Sequence, residues 1–216
     1  MFDVNHIIEV GGILIVGLII FAESGILLGI ILPGDSLLIA AGVFAGRGRL
    51  PIDWLLITVI VAAIIGYEVG YIFGKRLGPS LFKRKNGFLF REEYLTRTES
   101  FFDKYGGVTV VLARFIAHVR TLVSLIAGAS NMNKRKYHIY NVLGAVLWGG
   151  GLTMLGYWLG SRVPNVDKYI IPAVIATLAV LYGFTLWQLA KTPARRKALK
   201  KGLKEDYDYF VRGIRE

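Results

Sequence analysis

Four ionisable side chains, Glu23, Asp35, Arg114 and Arg120, stand inside otherwise apolar stretches of the chain. A charge at the centre of a bilayer costs about 2.5–3.5 kcal/mol even on the most lenient insertion scale. Four left unpaired would cost on the order of 10 kcal/mol, comparable to the net stability of a whole protein. They must be paired, hydrated or neutralised. Two acids in an early stretch and two arginines in a later one predict pairing between the stretches. The chemistry such a set supports is the holding of an anion and the exchange of protons. Arginine keeps its charge and offers a planar fork of donors suited to phosphate. A carboxylate in a partly dry site exchanges protons near neutral pH, which proton coupling requires. The plainer reading is buried ion pairs that fix packing. Apolar replacements often stabilise as well as such pairs do, so four of them favour a function.

The spacing around these residues sharpens the expectation. Arg114 and Arg120 are six apart, about 240° around a continuous helix, so a break near Ala117-His118 is needed for both to converge. Thr121 would cap the returning helix, and its exposed N–H groups would add to an anion site. Pro33-Gly34-Asp35-Ser36 follows the same logic: Pro-Gly turns the chain and Asp35 or Ser36 caps the next helix. Glu23 has no capping role visible in the sequence. His118 reads as a lining side chain of the same cavity or as a proton relay, and Ser36 as a lining residue. Glu68 is expected to pair with Lys75 or Arg76. Trp148, Tyr157 and Trp158 read as interfacial belts or helix packing. An enzyme is not expected. The histidines are His6, His118 and His138 alone, and no Gly-x-Ser-x-Gly, His-Glu-x-x-His or Walker loop is present. With no cysteine, thiolate chemistry is excluded, and no metal or cofactor is expected.

The elements that would position these residues are membrane segments. Of the 216 residues 54% are hydrophobic and 19% charged, and mean hydropathy is +0.52. Tyr137 to Ser161 is a run of 25 residues without a formal charge, and Tyr169 to Ala190 is another of 22. Each is long enough for a bilayer span. A third span is expected at 54–73. Segments 10–46 and 105–131 are apolar but broken, and are expected to be re-entrant. The net charge of +11 would suit nucleic acid in a soluble protein, but here the basic residues flank apolar spans, and no nucleic-acid partner is expected. Segment 75–104, with eight basic and four acidic residues, the loop Lys134-Arg135-Lys136 and the tail 191–216 are placed in the cytoplasm. The start lacks a basic region, so the first apolar segment is expected to be retained. Asp35 to Gly42 echoes Arg120 to Gly128 with one residue extra. The chain therefore reads as an all-α membrane domain with two inverted repeats, 10–74 and 105–162, each a re-entrant hairpin plus a span, followed by a further span at 169–190. Broken helices that meet near the midplane are a recurrent transporter plan.

Ordered blocks along residues 10–162 resemble the DedA family of bacterial membrane proteins. They are Phe21-Ala22-Glu23-Ser24-Gly25 with Leu32-Pro33-Gly34-Asp35-Ser36; Gly66-Tyr67-Glu68-Val69-Gly70-Tyr71 to Gly78; Ala113-Arg114-Phe115-Ile116 to Arg120-Thr121; and Asn141, Gly144, Trp148 with Gly156-Tyr157 and Gly160. The resemblance implies a multi-pass protein of the bacterial cytoplasmic membrane, similar to the VTT group of lipid scramblases. It implies movement of lipids, undecaprenyl phosphate or phosphatidylethanolamine among them, in dependence on the proton gradient. Its essential acids fall on Glu23 and Asp35 and its essential arginines on Arg114 and Arg120. The expected function is a flippase for undecaprenyl phosphate, with Arg114, Arg120 and Thr121 binding the phosphate and Glu23 and Asp35 coupling protons. A phospholipid flippase or scramblase and a proton or cation antiporter are the alternatives. The expected partners are a phosphate-bearing lipid and protons, and a second copy of the chain is an allowed one. The chain departs from the family pattern at Ala117 and Ser124, where prolines are usual, and at Tyr67, where an acid is common.

Overall fold

The computed structural model describes residues 4–25, 34–81, 105–130 and 132–164, with the single positions 172 and 179. The described residues are helical, with no strand among them. Helix α1 (Val4–Gly25) and helix α2 (Gly34–Gly46) are followed by the long α3 (Ile52–Leu81). A short α4 (Val108–Ala113) and α5 (Ala117–Ala129) lead into α6 (Lys134–Ala145). A π-helical turn, Val146–Gly150, joins α6 to α7 (Gly151–Arg162). The expected last span, 169–190, the tail, and most of segment 75–104 lie outside the described residues.

Two helical runs are long and apolar enough to cross a membrane: Ile52–Arg76, of 25 residues, and Lys134–Arg162, of 29. At 1.5 Å per residue both exceed the roughly 30 Å of a hydrocarbon core. The apolar stretch Gly11–Gly25 and helix α2 are shorter than such a span. Three boundaries differ from the sequence reading. Helix α3 continues past the expected limit at residue 73 to Leu81, because Lys75, Arg76 and Leu77 are good helix formers and Gly74 is held against Leu125 of α5. Lys134-Arg135-Lys136 is not a loop but the first turn of α6. The Asn133 side chain caps it, accepting from the N–H of Arg135 at 3.0 Å and of Lys136 at 3.2 Å. The chain between the two arginines breaks at Arg114–Ile116, ahead of Ala117-His118, which begin α5.

Among the described residues many large apolar side chains face outward. Leu18 on α1, Trp54, Ile57, Val61 and Ile65 on α3, and Leu147 in the π turn are exposed. This is a face for lipid rather than water, since soluble monomers rarely expose contiguous apolar patches of that size. Inside, one cluster gathers Val16 and Ile20 of α1, Leu38 of α2, Leu55 and Val59 of α3, and Trp148. A second gathers Tyr67 and Tyr71 of α3, Val110 of α4, Val123 of α5 and Tyr137 of α6. Helix α3 runs through both.

Helix α1 packs along α3, and two further seams exchange partners between the halves of the chain. Helix α2 lies on α7, and α5 lies on α3. Both seams close on small residues. A Cβ at Gly42 or Gly46 would strike the backbone of α7, and one at Gly156 or Gly160 the backbone of α2. In the other seam a Cβ at Gly74 would strike Leu125, and one at Gly128 the backbone from Tyr71 to Lys75. Lipid offers no hydrophobic drive between helices, so close backbone approach through small residues is what holds such pairs.

Candidate functional site

The phase of α1 places Glu23. Its buried positions, Ile13, Val16 and Ile20, recur at helical spacing, and Glu23 continues that stripe three residues later with no exposed surface. Asp35 stands in the first turn of α2. Arg120 stands in the first turns of α5, buried but for 4% of its surface. Packing brings the three together. Arg120 Nη2 pairs with Glu23 Oε1, and Arg120 Nη1 donates to Asp35 Oδ1 at 2.8 Å. The expected pairing of the early acids with a later arginine is present, on a single arginine.

Glu23 does something the sequence did not reveal. Its Oε1 accepts the N–H of Gly34 at 3.2 Å, so a carboxylate eleven residues upstream satisfies the first amide of α2. A Cβ at residue 34 would run into that carboxylate, so only glycine fits there. Asp35 is therefore free of that duty. Its Oδ1 also accepts the indole N–H of Trp148 at 2.9 Å. Trp148 is 2% exposed, and the Arg120 guanidinium lies 5.1 Å from its ring centroid. It is thus no belt residue. Trp158, exposed on α7, keeps an outward position.

Arg114 sits apart from the acids. Its guanidinium stacks 3.6 Å over the Tyr67 ring. Its Nη2 donates to Asn141 Oδ1 at 2.5 Å and to the Ala63 carbonyl at 3.2 Å. Gly144 leaves room for its stem, since a Cβ there would meet Arg114 Cδ at 2.9 Å. The Asn141 amide in turn donates to Glu68 Oε1 at 3.0 Å and the Ile64 carbonyl at 3.1 Å. Glu68 also bonds His138 Nδ1 at 2.9 Å. Glu68 therefore faces α6 rather than Lys75 or Arg76, because its side of α3 is the one that α6 covers. Among the described residues no acid bonds Arg114, and its Nε and Nη1 lack hydrogen-bond partners, as do Arg120 Nε and Glu23 Oε2.

Thr121 does not cap α5. The N-cap position is Ile116, in extended conformation at φ −113°, with no side-chain cap, and Thr121 lies five residues on. The break forms without the usual proline at 117: the two turn residues after α4 and the extended Ile116 suffice. The side chains of Thr121 and His118 and the residue Pro33 lie outside what is described. Ser36 is half-buried beside Asp35. Sequence reasoning named Asn141, Tyr67 and Trp148 but missed the roles of all three. Asn141 and Trp148 lie in a run chosen for its lack of formal charge, and a count of charges passes over neutral polar groups.

Seven residues, or about 10 Å of rise, separate Asn141 from Trp148 along one continuous helical run. The two arginines therefore meet that helical run at two levels, Arg114 at Asn141 and Arg120 at Trp148. The arrangement can present a guanidinium to an anion at one level and hold a second cation rigidly at the other.

Comparison with known proteins shows the family. The VTT domain matches residues 32–158, a stretch that contains Asp35, both arginines, Asn141 and Trp148. Protein DedA of Escherichia coli is 38% identical over 165 residues, 76% of this chain and 75% of that protein. An uncharacterized membrane protein of Mycobacterium leprae is 42% identical over 164 residues, 74% of this chain and 73% of its own. The inner membrane protein YqjA of Escherichia coli is 37% identical over 151 residues, 70% of this chain and 68% of that one. No solved structure matches the chain.

Proposed function

Since this chain belongs to the DedA family of VTT-domain membrane proteins, we propose that it is a lipid flippase linked to the proton-motive force, carrying undecaprenyl phosphate across the cytoplasmic membrane. The observation that carries the proposal is Arg120 held between Glu23 and Asp35 inside a helical membrane protein. A buried arginine with two acids can trade a carboxylate for a phosphate when a proton neutralises the carboxylate. Arg120 grips the phosphate, and Glu23 and Asp35 couple the protons. Arg114, whose Nε and Nη1 have no partner among the described residues, and Thr121 complete the phosphate side. The polyprenyl tail stays in lipid, so the headgroup enters between helices. In this proposal the exchanged pairing of α2 with α7 and α5 with α3 reflects two inverted repeats, each a re-entrant hairpin and a span, with the basic segments and C-terminus in the cytoplasm.

The test is reconstitution of the purified chain in liposomes with labelled undecaprenyl phosphate and an imposed pH gradient. Gradient-dependent movement, lost in Arg120→Ala, is the expected result. Movement at the normal rate in Arg120→Ala ends the phosphate-grip idea. Equal movement of phosphatidylethanolamine makes the chain a general phospholipid flippase or scramblase, and proton flux without any added lipid makes it an antiporter.

A further inference from the structure

Glu23 and Asp35 hold Arg120 in different ways. Glu23 is wholly buried, and its Oε1 also serves the Gly34 amide, so its release would strand a backbone donor as well as a carboxylate. The Asp35 side chain is half exposed, at 50%. One oxygen, Oδ1, takes two donors: Arg120 Nη1 at 2.8 Å and the Trp148 indole N–H at 2.9 Å. The indole is buried, and the guanidinium lies against its face, so packing and cation–π attraction fix both donors whether or not Asp35 is between them. Two preorganised N–H donors converging on one point, one of them charged, form an oxyanion receptor.

The geometry points to Asp35 Oδ1 as the stand-in for a phosphate oxygen of the lipid headgroup, with Arg120 Nη1 and Trp148 Nε1 as its donors and Asp35 as an exchangeable plug. This rests on the phosphate reading above and adds Trp148 as a residue that touches the ligand. Arg120 Nε, without a partner among the described residues, is available to a second phosphate oxygen. The charges balance. Among the described residues, the ionisable groups gathered here are Glu23 from α1, Asp35 from α2 and Arg120 from α5, while Trp148 is neutral. Exchange of a carboxylate that leaves with a proton for a singly charged phosphate keeps the local sum unchanged, with Glu23 still on Arg120. One headgroup is thereby tied to one proton at Asp35.

The test measures binding to the purified full chain in phosphatidylcholine nanodiscs. One arm uses inorganic phosphate, another dioleoyl phosphatidic acid, and dioleoylglycerol is the uncharged control. Asp35→Ala removes the plug and is expected to bind phosphatidic acid about tenfold more tightly than the parent chain, the order of one hydrogen bond to a charged group. Trp148→Phe keeps the ring and loses the N–H. Added to Asp35→Ala, it is expected to take back most of that gain. Asp35→Asn, which keeps the side chain's shape, gives a smaller gain and covers the case in which the alanine variant misfolds. Unchanged or weaker binding in both Asp35 variants overturns the receptor, and so does a gain that Trp148→Phe leaves intact. A gain confined to inorganic phosphate overturns the assignment to a headgroup. Flux in liposomes is read separately. A parent chain that moves no lipid while the Asp35 variants still tighten defeats the flippase reading alone, and normal flux without tightening defeats the receptor alone.

Discussion

Arg114 and Arg120 are both buried and stand on either side of one break, yet they meet the cost of burial by opposite means. Arg120 has two carboxylates, Glu23 and Asp35, drawn from two other helices. Arg114 has the Tyr67 ring, a backbone carbonyl and the Asn141 amide. Neutral partners cannot be protonated away, so the Arg114 seat is fixed at any pH. Acidic partners can be, so the Arg120 site can change hands. The two cations thus divide into one whose seat is fixed and one whose pairing is exchangeable.

The sharpest way to break that contrast is to remove each cation in turn. Arg120→Ala leaves the wholly buried Glu23 uncompensated and takes the charged partner from the half-exposed Asp35. We expect it to lower stability by about 3–5 kcal/mol and to abolish lipid movement. Glu23→Gln in the same chain should restore part of the stability, because the amide still accepts the Gly34 N–H and the stranded charge is gone. Arg114→Ala should destabilise less and gain nothing from Glu23→Gln. A double-mutant cycle on thermal unfolding of the purified protein measures both couplings. Equal rescue of the two arginine variants would erase the distinction between the sites.

The next effect tests the two glycine seams against each other. Gly156→Ala presses a methyl onto the backbone of α2 and Gly74→Ala presses one onto α5. Each should cost about 1–3 kcal/mol by overpacking, and similar losses in melting temperature would fit equivalent seams. A loss in one alone would show that the exchanged packing is not symmetric in strength. Below that comes Asn141→Leu, which keeps the branched outline of the side chain but removes the Arg114, Ile64 and Glu68 bonds. We expect about 1–3 kcal/mol and lipid movement that falls only with the folded fraction. Loss of movement at unchanged stability would instead show that Asn141 aims Arg114 at the phosphate.

Much of this was legible in the sequence because membrane burial penalises charge so heavily. Glu23, Asp35, Arg114 and Arg120 stood out on that ground alone, and a break between the arginines followed from their spacing. Which acid meets which arginine was not legible, since it depends on contacts 85 residues apart, such as Arg120 with Asp35. The cap that Glu23 places on α2 is non-local in the same sense. The roles of Asn141 and Trp148 escaped because the polar atoms of both carry no charge, and their burial is what makes those atoms matter. Tyr67 marks a third kind of limit. At a position where the family resemblance led to an acid, an aromatic face answers Arg114, and no rule of spacing predicts that exchange.

The smallest effect lies where the Arg114 network reaches the surface. His138 is exposed and bonds Glu68, which bonds Asn141. Exposed pairs contribute about 0–1 kcal/mol because water competes for both partners. His138→Ala should therefore change stability by no more than about 0.5 kcal/mol, with Arg114 still seated by Asn141 and Tyr67. Glu68→Gln should be equally mild, since its amide oxygen still accepts from Asn141. Glu68→Ala differs: it leaves the Asn141 amide with the Ile64 carbonyl alone, so that the amide is free to turn away from Arg114. A melting-temperature loss that is larger for Glu68→Ala than for His138→Ala or Glu68→Gln would locate the outer edge of the fixed seat at Glu68. Equal losses in all three would extend that edge to His138 and make the surface pair part of the seat.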